Sequence, residues 1–179
     1  MGKKPEILQR NLLAQTRLFT LESVDLAFSN GHRGVFERLL PKNHGAVMVA
    51  PILGDEVLLV REYAAGIHEY ELGFPKGVIE GEEDILEAAN REIQEEVGYG
   101  AKELTVLRTM TAVPGYMKSK MIFIVANHLY PASLPGDEPE PLEVVSWPLK
   151  KLMDLLKEPD FTDGRSIAAM FLLKEHLGL

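Results

Sequence analysis

The sequence predicts a single α/β domain of the mixed, or α+β, type, in which helices cover a mixed β-sheet. The 179 residues suffice for one compact domain with a substantial core. Strand-like runs come first, then one central helix, further strands and two terminal helices. This order lacks the regular β–α alternation of a doubly wound fold. The chain also carries no Gly-rich dinucleotide-binding loop and no Walker loop.

The N-terminal third is predicted to form two β-hairpins. Asn30-Gly31 is a strong hairpin signal, and strand-like runs flank it at 18–28 and 34–40. A second pair of runs, at 46–52 and 57–62, turns around Gly54. These four runs place most of the predicted strands before the first helix.

The remainder of the chain alternates less regularly. A loop rich in Gly and Pro at 73–81 leads into a helix from about 83 to 97, which Gly98 is placed to end. Further elements follow: strands at 104–110, 121–130 and 144–147, and helices at 149–156 and 164–177. The two terminal helices are most simply explained as core-packing elements.

The net charge of −8 is concentrated in one segment. Between Glu71 and Glu96, nine acidic residues stand against Lys76 and Arg91, and the rest of the chain is almost neutral. No basic stretch could bind nucleic acid, and no apolar run is long enough to span a membrane. The chain has no cysteine, which excludes disulfides and thiolate chemistry. With no signal peptide recognisable, we expect a cytoplasmic protein.

Carboxylates interrupt the apolar face of the central helix. The predicted buried stripe consists of Ile85, Leu86, Ala89, Ile93 and Val97. On a helical wheel centred on Ile93, Glu96 falls inside this stripe at about −60° and Glu92 at its edge near −100°. Glu95 lies on the same side. An unpaired charge in such a position is energetically costly, so it requires a partner.

The position of these carboxylates predicts a cation site. Glu92, Glu95 and Glu96 lie near the negative end of the helix dipole and within reach of one another, so their repulsion raises their pKa values unless a cation binds. A hard divalent cation with oxygen ligands fits this arrangement, and Mg²⁺ or Mn²⁺ suits carboxylate ligands best. The alternative is an exposed, fraying acidic helix end.

The same residues resemble the sequence signature of a known enzyme family. Gly77, then five residues, Glu83, seven residues and Arg91-Glu92-Ile93-Gln94-Glu95-Glu96-Val97-Gly98 resemble the Nudix box of the Nudix hydrolases, here residues 77–99. The resemblance implies a Nudix-type α/β/α sandwich and metal-dependent hydrolysis of a diphosphate linkage. It implies that Glu92 and Glu96, and then Glu95, bind the metal. It also implies catalytic roles for Glu95 and for Arg91, with Glu83 as the ion-pair partner of Arg91.

The flanking sequence is similar to the ADP-ribose pyrophosphatase branch of this family and to the ADP-compounds hydrolases related to it. Pro114 lies fifteen residues after the box, where that branch carries a marker proline. An N-terminal β-hairpin extension of about residues 1–45 resembles one used there for dimerisation and adenosine binding. The resemblance implies a homodimer that releases AMP from ADP-ribose, NADH or short diadenosine polyphosphates. The alternatives are a preference for dinucleoside polyphosphates and a non-catalytic sensor of an ADP-containing metabolite.

The general base and the substrate contacts are expected outside the box. By resemblance, the segment 135–141 supplies the base, with Glu138 favoured over Glu140; a solvated acidic surface loop is the alternative. The expected substrate-binding residues are Arg38, Arg61, Tyr63, Lys76, Pro114 and Tyr116. Lys76 and the arginines offer charge to phosphate or ribose, and the tyrosines offer rings to adenine. Core or hairpin packing is the alternative role for the aromatic residues.

Overall fold

The computed structural model describes residues 2–42 and 45–179, arranged as two β-sheets and three helical segments. Met1, Asn43 and His44 fall within the predicted N-terminal extension and lie outside the described residues. Among the residues described, no helix is both long and apolar enough to cross a membrane.

The first sheet is the predicted N-terminal extension. It is antiparallel, in the order β1-β2-β3, and consists of β1 (Glu6–Gln15), β2 (Phe19–Ala27) and β3 (Arg33–Pro41). The hairpin predicted around Asn30-Gly31 joins β2 to β3, and Gly31 adopts a φ of 84° there. Strand β1 is absent from the sequence prediction. Its pairing with β2 contains two register shifts, and such bulges break the two-residue periodicity by which a strand is recognised.

The second sheet has seven strands in the order β10-β5-β4-β9-β8, with β6 paired to β5 and β7 paired to β4. Its strands are β4 (Ala46–Leu53), β5 (Glu56–Ala64), β6 (Glu69–Gly73), β7 (Lys76–Val78), β8 (Tyr99–Met110), β9 (Met121–Pro131) and β10 (Glu143–Pro148). β4 and β9 are parallel, whereas the other pairs are antiparallel. The sheet is therefore mixed, as predicted. β7 lies within the segment 73–81 that the sequence predicts to be loop, and β6 ends at the first residue of that segment.

The helices cover both faces of this sheet. α1 (Ile85–Glu96) and α2 (Gly164–Leu177) are α-helices capped by Asp84 and Asp163, while a 3₁₀ helix spans Leu149–Lys157. The helix predicted at 149–156 is therefore present, and it is of the 3₁₀ type. The backbone departs from helical geometry at Lys151, which interrupts the repeated i→i−4 hydrogen bonding that an α-helix requires.

The central strands are buried on both faces, which explains their nearly continuous apolar sequence. Along β4, Met48 and Ala50 pack in a cluster with α2 and the 3₁₀ helix, whereas Val47 and Val49 pack in a second cluster with α1. Alternate side chains of β5 and β9 divide between the same two clusters. Helix, sheet and helix therefore form three layers, and the predicted α/β/α sandwich is confirmed.

Candidate active site

A close backbone approach brings the start of the box against α1. β7 pairs with β4, with Lys76 opposite Met48 and Gly77 opposite Val47. A Cβ atom placed on Gly77 would overlap the carboxylate of Glu92. A side chain at position 77 would therefore displace the carboxylate end of Glu92 from its present position.

Two carboxylates of α1 lie in the protein interior. Glu92 and Glu96 are each only 6% exposed, in the layer that α1 forms with the sheet. The buried arc of α1 is centred near Glu96, about 60° around the helix axis from the predicted centre at Ile93. The prediction that Glu96 interrupts the buried face is confirmed, and Glu92 is buried rather than at the edge of that face.

The rotation of the buried arc leaves the first turn of α1 exposed. Ile85 and Leu86 are each 37% exposed, so their predicted burial is wrong. Ala88, which was not predicted to be buried, is fully buried, as is Ala89, which was. The small alanine side chains permit close approach to the sheet but add little apolar surface, so hydrophobic periodicity locates this contact face poorly.

Burial raises the pKa of both acids. Desolvation raises the pKa of Glu96 to about 9, against the opposing charge of Lys76 and the hydrogen bond from the Lys76 backbone N–H to Oε2 at 3.2 Å. Desolvation also raises the pKa of Glu92 to about 7, although the charge of Arg91 opposes it. Without an additional cation the protein therefore favours protonation of these two groups.

Arg91 contacts three members of a group of acids, Glu83, Glu92, Glu95 and Glu96, which we call the acidic cluster. Its Nε and Nη2 donate to the two carboxylate oxygens of Glu83 at 2.9 and 3.0 Å. Its Nη1 donates to Glu92 Oε1 at 2.8 Å and to Glu95 Oε2 at 3.0 Å. The pKa of Arg91 is raised, chiefly by the hydrogen bonds to Glu83. The expected Arg91–Glu83 ion pair is present, and one guanidinium holds the orientation of three carboxylates.

The chemistry of this cluster fits a hard divalent cation. Glu92, Glu95 and Glu96 supply carboxylate oxygens only, and two of these groups are buried with raised pKa values. Across residues 2–42 and 45–179, no three acidic or histidine side chains converge on one point as a preformed cage. Glu92 and Glu95 face Arg91 instead. Their role as metal ligands therefore stays a prediction, and it requires these two carboxylates to turn.

The segment predicted to carry the general base lies beside the same helix. We call residues 132–142 the acidic loop. Its first part is tied to the end of α1, because the Leu134 N–H donates to the Gln94 carbonyl and the Ala132 N–H donates to the Gly98 carbonyl, each at 3.1 Å. Glu138 is close enough for its charge to raise the pKa of Glu92.

The two candidate bases share their clefts but differ in their contacts. Glu138 and Glu140 both border one cleft with Glu95 and Glu96, and a second cleft with Arg61 and Tyr70. Glu140 is engaged by Tyr70, whose hydroxyl donates to Oε1 at 2.5 Å. Tyr70 of β6 thus holds Glu140, whereas the charge of Glu138 acts on Glu92. The preference for Glu138 is consistent with this geometry.

All three predicted substrate-binding cations are paired with acids. Arg61 donates to Asp160 at 2.7 Å and to Glu143 at 2.5 Å. The Lys76 ammonium donates to Glu62 at 2.5 Å, while its backbone N–H contacts Glu96. Lys76 therefore lies at the acidic cluster, as a phosphate contact requires. Substrate binding by Arg61 stays a prediction that requires the guanidinium to exchange its present partners.

The remaining predicted contacts lie on other elements. Tyr63 borders the second cleft, and its hydroxyl lies 2.6 Å from His68 Nδ1. Arg38 lies in the N-terminal sheet and pairs with Glu22 at 2.6 Å. Pro114 and Tyr116 lie between β8 and β9, and the Tyr116 carbonyl accepts from the Leu39 N–H at 2.7 Å. No described contact joins Arg38, Pro114 or Tyr116 to the acidic cluster.

Two residues near the candidate site are absent from the sequence-based predictions. Glu62 contacts Lys76 and its charge raises the pKa of Glu96. Tyr70 contacts the acidic loop seventy residues further along the chain. Glu62 lies on β5, Lys76 on β7 and Tyr70 on β6. Since both contacts depend on how the strands of the sheet pair, no local spacing in the sequence could have indicated them.

Comparison with known proteins identifies the family of this chain. A family model of the NUDIX domain matches residues 42–170, and a model of the NudE-type Nudix hydrolase N-terminal domain matches residues 5–38. The chain therefore belongs to the Nudix hydrolase family. The second match lies within the predicted N-terminal extension.

Individual relatives span nearly the whole chain. It is 55% identical over 175 residues to the ADP compounds hydrolase NudE of Escherichia coli (strain K12), covering 98% of this chain and 94% of that protein. It is 25% identical to an ADP-ribose pyrophosphatase of Bacillus subtilis (strain 168), covering 93% and 94%. A crystal structure of an ADP compounds hydrolase superposes with a TM-score of 0.94 at 54% identity, covering 99% of this chain and 96% of that one.

Proposed function

We propose that this protein hydrolyses the diphosphate linkage of ADP-containing compounds and releases AMP. The observation that carries the proposal is the buried pair Glu92 and Glu96 beside Arg91 and Lys76, in a chain 55% identical to an ADP compounds hydrolase. ADP-ribose, NADH and short diadenosine polyphosphates are the proposed substrates.

Glu92 and Glu96, with Glu95, are the proposed ligands of Mg²⁺ or Mn²⁺. When bound, a divalent cation neutralises phosphate charge and lowers the pKa of the attacking water. Arg91 orients Glu92 and Glu95 through its Nη1 and anchors itself on Glu83. The Lys76 ammonium, which lies beside Glu62, offers a positive charge to the phosphate.

Glu138 is the proposed general base. A carboxylate that serves as metal ligand is a poor proton acceptor, so the base must come from outside the α1 cluster. Glu138 and Glu140 both border the cleft that contains Glu95 and Glu96, and the charge of Glu138 acts on Glu92. Glu140 is the weaker candidate because Tyr70 occupies its Oε1.

The test is AMP formation. Purified protein is incubated with ADP-ribose, NADH or diadenosine triphosphate, with and without Mg²⁺, and the nucleotides are separated by chromatography. We expect AMP only when the cation is present, and Glu96→Gln should lower turnover by about 100-fold or more. Glu87→Gln is the matched control, since Glu87 lies exposed on the first turn of the same helix. If none of the three substrates yields AMP, the proposal is overturned.

A homodimer is proposed for the same protein. The N-terminal sheet presents large apolar side chains to the surface, among them Leu12 (64% exposed), Val35 (68%) and Phe36 (46%). Exposed apolar surface on one element supports an interface between protein subunits. Leu12→Glu should convert a dimer into a monomer in light scattering; an unchanged mass for this variant would contradict an interface at β1. A cytoplasmic location also stays a prediction.

A further inference from the structure

Tyr70 connects the main sheet to the acidic loop. It lies on β6, opposite Tyr63 of β5, and the two rings pack edge to face with centroids 5.7 Å apart. Its hydroxyl donates to Glu140 Oε1 at 2.5 Å. Glu140 follows Glu138 by two residues, with Pro139 between them.

The hydrogen bond between Tyr70 and Glu140 adds a fixed point within the acidic loop. Hydrogen bonding to α1 fixes the loop at Leu134, and pairing of β10 with β5 fixes the chain again from Glu143. Eight residues, 135–142, separate these two anchors. With Glu140 held by Tyr70, the free segment that contains Glu138 is reduced to five residues, 135–139. Pro135 and Pro139 restrict this shorter segment further.

We propose that Tyr70 is a positioning residue, whose hydroxyl holds Glu140 and thereby places Glu138 at the acidic cluster. The proposal rests on the proposed function, because it assumes that Glu138 is the general base. A shorter and stiffer segment has fewer conformations to lose when the Glu138 carboxylate adopts its reactive position. The sheet determines the position of Tyr70, so the acidic loop is fixed relative to the same sheet that carries Lys76 and Glu62.

The primary test is Tyr70→Phe, which retains the ring and its packing on Tyr63 but removes the donor to Glu140. We expect kcat for AMP release from ADP-ribose to fall about tenfold, with KM changed less than twofold, because one hydrogen bond to a carboxylate is lost. The melting temperature should remain within about 2 °C of the wild type. The matched control is Tyr130→Phe, since the Tyr130 ring lies over Gly100 of β8; its kcat should equal that of the wild type.

Two further comparisons separate positioning from other roles. Glu140→Gln retains an acceptor oxygen and should keep more activity than Glu140→Ala; equal losses in both variants would identify Glu140 itself as a proton acceptor and overturn the proposal. Tyr70→Phe should have little further effect in a Glu138→Gln background, since the residue that it positions is already absent.

The outcomes distinguish this proposal from the proposed function. Wild-type protein that forms no AMP overturns the function itself. If the wild type is active and Glu138→Gln is not, then full activity of Tyr70→Phe overturns the positioning role alone. A tenfold loss that persists in the Glu138→Gln background also overturns it, because Tyr70 would then act independently of Glu138. If Glu138→Gln turns over at the wild-type rate, Glu138 is not the general base. Tyr70 then has no general base to position, so both proposed roles are overturned.

Discussion

Substitution of Glu96 by glutamine should change how the stability of the metal-free protein depends on pH. Burial raises the pKa of Glu96 to about 9, from an ordinary value of 4.5. Between these two values the folded state retains a proton that the unfolded state releases, so stability falls as pH rises. Below pH 4.5 both states are protonated and the effect disappears. The glutamine side chain is a neutral amide of similar size and does not titrate.

The structure sets the magnitude of this effect. One proton of difference between folded and unfolded states changes the free energy of unfolding by about 1.4 kcal/mol per pH unit. From pH 6 to pH 8, two units within the window, the wild type should therefore lose up to about 3 kcal/mol more than Glu96→Gln. Glu92, with a pKa raised to about 7, contributes to both proteins and largely cancels in the comparison.

The assay is urea unfolding in EDTA at pH 6, 7 and 8, followed by circular dichroism. Glu87→Gln is the control, because Glu87 is exposed on the same helix and should follow the wild-type pH dependence. Addition of Mg²⁺ at pH 8 should stabilise the wild type and have a smaller effect on Glu96→Gln. Identical pH dependence of Glu96→Gln and wild type in EDTA would refute the argument that burial keeps Glu96 protonated.

Three further substitutions test the contacts around α1. Gly77→Ala places a Cβ against the Glu92 carboxylate and should lower kcat/KM for AMP release at least tenfold, whereas activity equal to wild type would show that Glu92 moves freely. Arg91→Ala removes the partner of three acids and should destabilise the protein by about 3 kcal/mol in urea unfolding at pH 7, with a smaller loss at pH 5 as the acids protonate. Gly98→Ala forces a side chain into a φ of 74° and should cost about 1 kcal/mol without changing kcat, so a catalytic defect would contradict a purely capping role.

The parts of the fold with strong local signals could be predicted from sequence. Helix α1 was identifiable because Asp84 caps its start and Gly98 ends it in the left-handed conformation. The central strands were identifiable because both of their faces are buried, which produces continuous apolar runs such as Met121–Ala126. By contrast, β1 carries bulges and β7 is three residues long, so neither leaves a readable periodicity.

The candidate site, like the fold, could be predicted from the sequence only in part. The spacing of Arg91, Glu92, Glu95 and Glu96 was sufficient to predict a carboxylate cluster with one buried member, since a helix fixes the relative directions of residues three and four apart. Periodicity could not predict that Ala88 joins Ala89 in the contact with the sheet, nor that Glu92 is buried as deeply as Glu96. Those features depend on the rotation of the whole helix against its neighbours.

The sequence by itself was sufficient to predict the family, the fold class and the acidic helix, because the signals for each are motifs and patterns of residues that lie close together along the chain. Only the tertiary structure decided which charges meet. In the tertiary structure, Lys76 donates to Glu62, Arg61 donates to Asp160 and Glu143, and Tyr70 donates to Glu140. These partners are separated by between fourteen and ninety-nine residues, and strand pairing rather than local periodicity brings them into contact.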